Sequence, residues 1–207
     1  MALSFSPKES ARFGFKIFRL ETPSSVELAA IFEECVREGA DIVILRMGAE
    51  EGMSFYPEIS KACHTIAADS LIEFRKVLKD TTVADFLDSG ASIREMRNDE
   101  APQLKELVSR CYSEYRNHYF ENPSLNPETV LDGLTEFSQG FLSTDNRTVL
   151  VATHAGIACG YLCMEIRDGC GSSVIGGSAL DIPQALRHKI LCDLTHHGDR
   201  WLMERHV

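Results

Sequence analysis

Three apolar segments separated by two short turns, all in the last third of the chain, constrain its fold most strongly. Residues 148–153 (TVLVAT) and 157–166 (IACGYLCMEI) flank the turn His154-Ala155-Gly156. A second turn, RDGCG, separates the latter segment from residues 173–180. Short apolar runs bounded by glycine turns are typical of strands joined as hairpins. The pattern therefore predicts three consecutive strands.

Helical periodicity surrounds these strands. Residues 92–96 predict a short strand, and residues 99–115 carry apolar side chains on one face of a helix. Residues 128–142, which follow Asn126-Pro127, predict a second helix, and residues 184–205 a last one. The second part of the chain, 92–207, thus reads β-α-α-β-β-β-α.

The first part predicts a small α/β unit over residues 1–79. Residues 13–20 alternate as in a half-buried strand, and residues 26–36 form an amphipathic helix that Gly39 ends. Residues 41–45 are a continuous apolar run, which favours a strand buried on both faces. We expect a loop at 50–54, a short helix at 57–63, extended structure at 65–78, and a polar linker at 80–91.

Composition excludes some classes of function. The net charge is −10, whereas nonspecific binding to nucleic acid or to an anionic membrane needs a basic surface. The longest apolar runs are far too short to cross a bilayer. The first fifteen residues show no apolar segment after a basic start, so no signal peptide is expected and the protein is predicted to be cytoplasmic.

The seven cysteines are scattered and form no CxxC pair, so reduced, buried thiols are expected. A metal site is the alternative. His188, Cys192 and His196 fall on one face of the last predicted helix, with spacing that suits two metal ligands. A complete site needs third and fourth ligands with defined spacing, and the sequence offers none. No metal is therefore predicted.

Several segments resemble the GNAT superfamily of acyl-CoA-dependent N-acyltransferases. SIREMRNDEAPQLKELVSRCY is similar to the opening strand and helix of such domains, and RTVLVATHAGIACGYLCMEI to their central strand pair. ALDIPQALRHKILCDLTHHGDRWLMERHV is similar to their phosphate-binding loop and helix. The two-part layout, FGFKIFRL at 13–20 and DSLIEF at 69–74 resemble the dTDP-fucosamine acetyltransferase group. The resemblance implies a GNAT-like α/β fold with a mixed sheet, preceded by a small α/β unit.

The resemblance also implies acetyl-CoA as acyl donor. In the family, a strand and the start of the following helix hold the pantetheine and the pyrophosphate, and a helix N-terminus suits an anion. The matching positions are Leu180, Ile182, Leu186, Arg187, His188, Lys189 and Ile190. Arg187 and Lys189 stand where the family has glycines. They crowd the turn but could supply positive charge, and a helix start that no longer binds CoA is the alternative.

Transfer to an amine needs a base and a proton donor for the thiolate. Asp181 is the acidic residue nearest to the family's position for the base, although a turn or helix-capping role suits it equally. His118 lies on the loop that lines the acceptor pocket in this family, and histidine can act as a base near neutral pH. A surface histidine is the alternative. Tyr119 and Asn122, on the same loop, are the expected contacts to a small-molecule amine substrate.

The family's fifth strand and tyrosine-bearing helix have no counterpart after Val207. One account is a truncated fold with an exposed sheet edge, which invites association such as a homodimer. The other is a composite fold, in which residues 41–45 pair with 173–180 and the segment around Tyr56 supplies the helix. The sequence thus predicts a GNAT-type N-acetyltransferase acting on a primary amine, for example of a nucleotide-linked amino sugar. The alternative is a non-catalytic GNAT-like binding or dimerisation module.

Overall fold

The computed structural model describes residues 3–21, 28–67, 69–70, 77–78, 88–115, 117–142 and 144–205. It contains both parallel and antiparallel strand pairs together with helices, so the predicted α/β class with a mixed sheet is confirmed. The chain separates into two units: Met1–Asp69 with Asn117–Thr129, and Ser70–Arg116 with Val130–Val207. The boundaries expected from the sequence, at 79 and 92, stay a prediction because residues 79–87 lie outside the described ranges.

The first unit is built on a three-stranded sheet in the order β1-β2-β3. Its elements are β1 (Ser4–Phe5), α1 (Pro7–Phe13), β2 (Ile17–Glu21), α2 (Leu28–Glu38), β3 (Ile42–Arg46) and α3 (Ala49–Ala62). β2 pairs with β3 in parallel, as a strand–helix–strand connection requires, and β1 adds to β2 in antiparallel. Gly39 follows α2 with a φ of 64°, as predicted for the residue that ends this helix.

Several details of the first unit were predicted wrongly. Residues 7–13 are a helix that begins with Pro7, so the strand expected at 13–20 is limited to Ile17–Glu21. The loop expected at 50–54 lies inside α3. Strand β3 is only half-buried, with Arg46 exposed, so it is not buried on both faces. Most of the extended structure expected at 65–78 falls outside the described residues.

The second unit follows the predicted order closely. Its elements are β4 (Ser92–Glu95), a 3₁₀ turn (Asn98–Glu100), α4 (Ala101–Tyr112), α5 (Pro127–Gln139, which begins in the first unit), β5 (Arg147–His154), β6 (Ile157–Arg167), β7 (Cys170–Ser178) and α6 (Gln184–Glu204). The four strands form one antiparallel sheet in the order β4-β5-β6-β7. Ala155 and Gly156 both have positive φ, as do Asp168 and Gly169, which is the geometry of tight hairpin turns.

Alternation along β5 and β6 gives this sheet two apolar faces. Val149, Val151, Tyr161 and Cys163 pack with α4 on one face. Leu150, Ala152, Leu162 and Met164 pack with α6 on the other. Gly160 allows α6 to lie close, because a Cβ there would stand 2.7 Å from Cγ2 of Ile190. The sheet is therefore covered on both faces, and α6 starts directly after its last strand.

The described strands of a single chain do not form the composite fold. Strand β3 pairs with β2, whereas β7 pairs with β6, and the two belong to different sheets. Within the described ranges of one chain, residues 42–46 make no ladder with residues 170–178. The within-chain version of that hypothesis is therefore wrong, and strand exchange between two copies stays a prediction.

Candidate functional site

The corner between β7 and α6 is fixed by an arginine of α4. Two nitrogens of the Arg110 guanidinium donate to the Asp181 carboxylate, with Nε–Oδ2 and Nη2–Oδ1 distances of 3.0 Å each. The third nitrogen, Nη1, donates to the carbonyl oxygen of Ala158 on β6, at 2.7 Å. The hydrogen bond from Arg110 lowers the pKa of the Asp181 carboxyl. A carboxylate held in this way is a weaker base, which favours the turn-forming role of Asp181 over the catalytic one.

The last turn of α4 also makes hydrogen bonds to one edge of β7 and to the residues that follow this strand. Tyr112 donates its hydroxyl to the carbonyl oxygen of Gly176 at 2.7 Å, and the amide of Leu180 donates to the carbonyl oxygen of Arg110 at 3.0 Å. The amide of Ala179, an odd-numbered residue between these two even-numbered ones, instead donates to the carbonyl oxygen of Cys159 on β6. Alternate residues of a strand direct their backbone groups to opposite sides. Gly176 and Leu180 therefore belong to the edge that faces away from β6, and α4 satisfies groups on that edge.

The segment predicted to bind acetyl-CoA, residues 180–190, has one face that packs on the core and one face that is more exposed. Ile182 and Leu186 are half-buried and Ile190 is fully buried, and all three pack in the cluster beneath α6. His188 and Lys189 are exposed and Leu180 is half-buried. The side chains of the packed face are thus committed to the core. Only backbone groups and the outward side chains of this segment are left for a ligand.

Arg187 is the notable residue of the first turn of α6. Its Nε is buried and has no hydrogen-bond partner among the residues that the structure describes. The amides of Leu186 and Arg187 both donate to the carbonyl oxygen of Pro183, at 2.9 and 3.0 Å. A buried guanidinium N–H without a partner costs free energy, and an anion would satisfy it.

His118 is joined to a carboxylate from a distant part of the first unit. Its Nδ1 lies 2.9 Å from Oδ2 of Asp69, and its backbone amide donates to the same oxygen at 3.2 Å. Burial raises the pKa of Asp69, but the hydrogen bonds from His118 outweigh this and leave the pKa below its usual value. The imidazole is 26% exposed, while its Nε2 is buried and without a partner among the described residues.

Tyr119 points into an ionic cluster of the first unit. Its hydroxyl hydrogen-bonds Glu9 and accepts from Arg19, and its ring stacks on Phe13 with centroids 5.8 Å apart. Arg19 and Glu9 themselves form two further hydrogen bonds, at 2.5 and 2.8 Å. Burial raises the pKa of the Tyr119 phenol, and the hydrogen bond to Glu9 adds to this. Tyr119 thus anchors its loop to α1 and β2.

Short-range contacts of two asparagines shape the loop that carries His118. Asn117 is buried, and its side-chain oxygen accepts from the amides of Tyr119 and Phe120, at 3.0 and 3.1 Å. The side-chain oxygen of Asn122 accepts from the amide of Ser124 at 3.0 Å. Both are turns of the kind that asparagine favours. The contact of Asn122 to a substrate remains a prediction.

The predicted site residues therefore fall into two groups, one in each unit. His118, Tyr119 and Asn122 belong to the first unit, and residues 180–190 to the second. Sequence reasoning missed the partners that define their chemistry, namely Asp69 and Arg110. No local signal points to either, since Asp69 is 49 positions from His118 and Arg110 is 71 positions from Asp181.

Two kinds of feature are absent from the described ranges. No group of three or more His, Cys, Asp or Glu side chains that could hold a metal ion occurs there, although Cys192 Sγ lies 3.9 Å from His188 Nε2. No described helix is long and apolar enough to cross a membrane.

Comparison with known proteins gives weak similarities to acetyltransferases. No protein-family model and no curated protein matches the chain. Among solved structures, AAC(6')-Iy in complex with the bisubstrate analogue CoA-S-monomethyl-acetylneamine is 16% identical with a TM-score of 0.37, over 56% of this chain and 73% of that one. A candidate acetyltransferase from Pyrococcus horikoshii is 16% identical with a TM-score of 0.36, over 58% and 39% of the two chains. The GNAT domain of S. lividans PAT is 19% identical with a TM-score of 0.33, over 54% and 66%. Likenesses this weak say nothing of what the chain binds or catalyses.

Proposed function

We propose that the protein is a GNAT-type N-acyltransferase that transfers an acetyl group from acetyl-CoA to a primary amine. The observation that carries this proposal is the arrangement of the second unit. It has the order β-α-α-β-β-β-α, one antiparallel sheet, α4 on one face and α6 on the other. The sequence segments that resemble the superfamily follow one another in this same order.

The start of α6 fits the anionic part of the donor. The pyrophosphate of acetyl-CoA would bind at the first-turn backbone amides and at Arg187, whose buried Nε has no partner among the described residues. The exposed Lys189 adds positive charge. Both side chains would supply by charge what the family's glycines supply by close backbone approach. The bound donor would contribute the thioester, and the amine would attack its carbonyl carbon.

His118 is the stronger of the two candidates for the base that deprotonates the amine. The carboxylate of Asp181 is held by Arg110, which lowers its pKa and weakens it as a proton acceptor. The imidazole of His118 has one nitrogen engaged by Asp69 and the other without a partner in the described part of the chain. Imidazole is also the side chain whose ordinary pKa lies closest to neutrality.

The acceptor in this proposal is a small molecule with a primary amine. The resemblance to the dTDP-fucosamine acetyltransferase group adds a nucleotide-linked amino sugar as a specific acceptor class. Tyr119 and Asn122 would contact it with the parts of their side chains that are not used in the ionic cluster and the turn.

One set of contacts favours a second function, a non-catalytic GNAT-like module for binding or dimerisation. Tyr112 and Arg110 already bond to backbone groups of Gly176 in β7 and of Leu180, which follows the strand. These groups lie on the edge along which the family's donor would run. In the second function that edge stays closed, and the chain associates as a homodimer.

Calorimetric titration of the full chain with acetyl-CoA separates the two functions. The proposed enzyme binds with a dissociation constant in the range of about 1 μM to 1 mM that is common for substrates. Arg187→Gln should weaken binding about 10- to 100-fold, as expected for a lost charge-assisted hydrogen bond. Arg200→Gln, an exposed arginine on the same helix, is the matched control and should bind like the wild type. No heat at millimolar acetyl-CoA, together with a dimer by light scattering, would establish the second function instead.

A further inference from the structure

The hydrogen bond between His118 and Asp69 determines which nitrogen of the imidazole carries the hydrogen. A carboxylate whose pKa is lowered is ionised at neutral pH, and an ionised carboxylate only accepts hydrogen bonds. The ring nitrogen 2.9 Å from it must therefore carry the hydrogen. A neutral imidazole has one N–H and one lone pair, so the lone pair falls on Nε2.

The backbone strengthens this assignment. The amide of His118 donates to the same oxygen of Asp69 as its ring does, so the carboxylate is fixed from two directions. The ring of Tyr119 lies beside the imidazole, with centroids 4.0 Å apart. These contacts limit the rotation of the imidazole and keep Nδ1 toward Asp69.

Two further titratable or charged groups among the described residues influence or contact the pair. One is the neighbouring Tyr119, and the other is Arg46 at the end of β3, which contributes to lowering the pKa of Asp69. The phenol of Tyr119 is engaged by Glu9 and Arg19. No described group donates to Nε2.

An unmet hydrogen bond at a buried nitrogen costs free energy, and this cost disappears when a ligand supplies the donor. The His118 side chain as a whole is 26% exposed, so the imidazole lies at the surface of the unit.

We infer that Asp69 is a positioning residue that holds His118 as the Nδ1–H tautomer, so that Nε2 receives a proton from the acceptor ammonium. This inference rests on the proposed acyltransfer. One proton of the ammonium moves to Nε2, and the nitrogen then attacks the thioester carbonyl carbon. The C–N bond forms as the C–S bond breaks, and a second proton leaves the nitrogen for the thiolate sulfur. Asp69 stabilises the imidazolium that results, which then releases its proton to water.

NMR of the imidazole nitrogens in the full chain tests the tautomer without any ligand. The wild type should show His118 with its hydrogen on Nδ1 and an unprotonated Nε2 at neutral pH, and His118→Gln assigns the signal. Asp69→Asn should abolish the preference for this tautomer. Glu58→Gln, at an exposed position on α3, is the control and should leave the signal unchanged. A hydrogen on Nε2 in the wild type, or an identical tautomer in Asp69→Asn, overturns the inference.

Kinetics test the proton transfer. With acetyl-CoA and a primary amine, His118→Gln should lower kcat about 10²- to 10⁴-fold, the usual contribution of a general base. Asp69→Asn should lower kcat and leave KM for acetyl-CoA unchanged, because the base is present but wrongly oriented. A merely structural role would change KM together with kcat. Unchanged kcat in both variants overturns the inference while the proposed function stands. Absence of acetyl-CoA binding in the wild type overturns the function and the base role together, and the NMR result still decides the tautomer.

Discussion

Arg110 and Asp181, 71 positions apart in the chain, are joined by two parallel hydrogen bonds of 3.0 Å. The same guanidinium donates to the carbonyl oxygen of Ala158. One side chain of α4 therefore connects β6 with the residues that lead from β7 into α6. The carboxylate is 59% exposed and the arginine 23%, so the pair lies at the edge of the core.

The first prediction concerns this corner. Arg110→Gln should lower the free energy of unfolding by about 1–2 kcal/mol, because it removes the forked ion pair and the hydrogen bond to the Ala158 carbonyl. Asp181→Asn should cost less than about 1 kcal/mol, since the carboxylate is largely exposed and its partner keeps the bond to Ala158. Urea unfolding of the two variants measures the difference.

A second ion pair of the same unit serves as the control for these variants. Lys105 and Asp132 lie 3.0 Å apart with both side chains exposed. Lys105→Gln should therefore change the free energy of unfolding by less than about 0.5 kcal/mol. Equal effects of Arg110→Gln and Lys105→Gln would show that the corner is held by other contacts.

The second prediction concerns the pH dependence of the first unit. Burial raises the pKa of Glu9, but hydrogen bonds from Arg19, Ser6 and Tyr119 outweigh it and lower the pKa from 4.5 to about 2. The folded state therefore binds the proton less readily than the unfolded state. The resulting stabilisation is fully present above pH 4.5 and is lost as the pH falls toward 2. It amounts to about 2–3 kcal/mol at neutral pH.

Glu9→Gln should remove this contribution. Amide exchange in β2 should be faster than in the wild type at neutral pH, and the two proteins should converge as the pH falls toward the folded pKa of Glu9. Glu21 pairs with Arg46 at 3.6 Å on the surface, so Glu21→Gln is the control and should show no such convergence. A constant difference between Glu9→Gln and the wild type across this pH range would contradict the prediction.

The elements of the second unit could be predicted because their signals are local. Glycine turns at 154–156 and 168–169 separate the strands, and helical periodicity marks α4 and α6. The first unit was less predictable. Residues 7–13 form a helix although their pattern is weak, and α3 continues through residues that sequence reasoning assigned to a loop. Tertiary packing decides such weakly patterned segments.

The candidate site was predictable only in part, for a different reason. His118 and Asp181 could be chosen because each side chain can take up or release a proton. Their roles depend on Asp69 and Arg110, which the fold brings to them from distant positions. A charge partner at such a separation leaves no trace in spacing or periodicity. Without it the pKa of a carboxylate, and hence its strength as a base, cannot be inferred.

The third prediction concerns the packing of α6 on the sheet. A Cβ at Gly160 would stand 2.7 Å from Cγ2 of Ile190 and 3.1 Å from Cδ1 of Leu194, both of which are buried. Gly160→Ala should therefore destabilise the chain by about 1–3 kcal/mol through overpacking. Gly52 in α3 has nothing within 4 Å of its Cβ position, so Gly52→Ala should be neutral or stabilising by up to about 1 kcal/mol. Thermal unfolding of both variants checks the contrast.

The last prediction concerns the edge of β7 that α4 covers. Tyr112 is buried and donates its hydroxyl to the Gly176 carbonyl oxygen, while Tyr115 is 47% exposed and packs edge-on against the Tyr112 ring. Tyr112→Phe should lower the free energy of unfolding by about 1–2 kcal/mol, since it leaves that carbonyl without its donor. Tyr115→Phe keeps the ring contact and should change stability by less than about 0.5 kcal/mol, as is usual at the surface. Acetyl-CoA binding adds a decisive readout. If the hydroxyl competes with the donor for this edge, Tyr112→Phe binds acetyl-CoA more tightly than the wild type, and unchanged affinity places the donor away from Gly176.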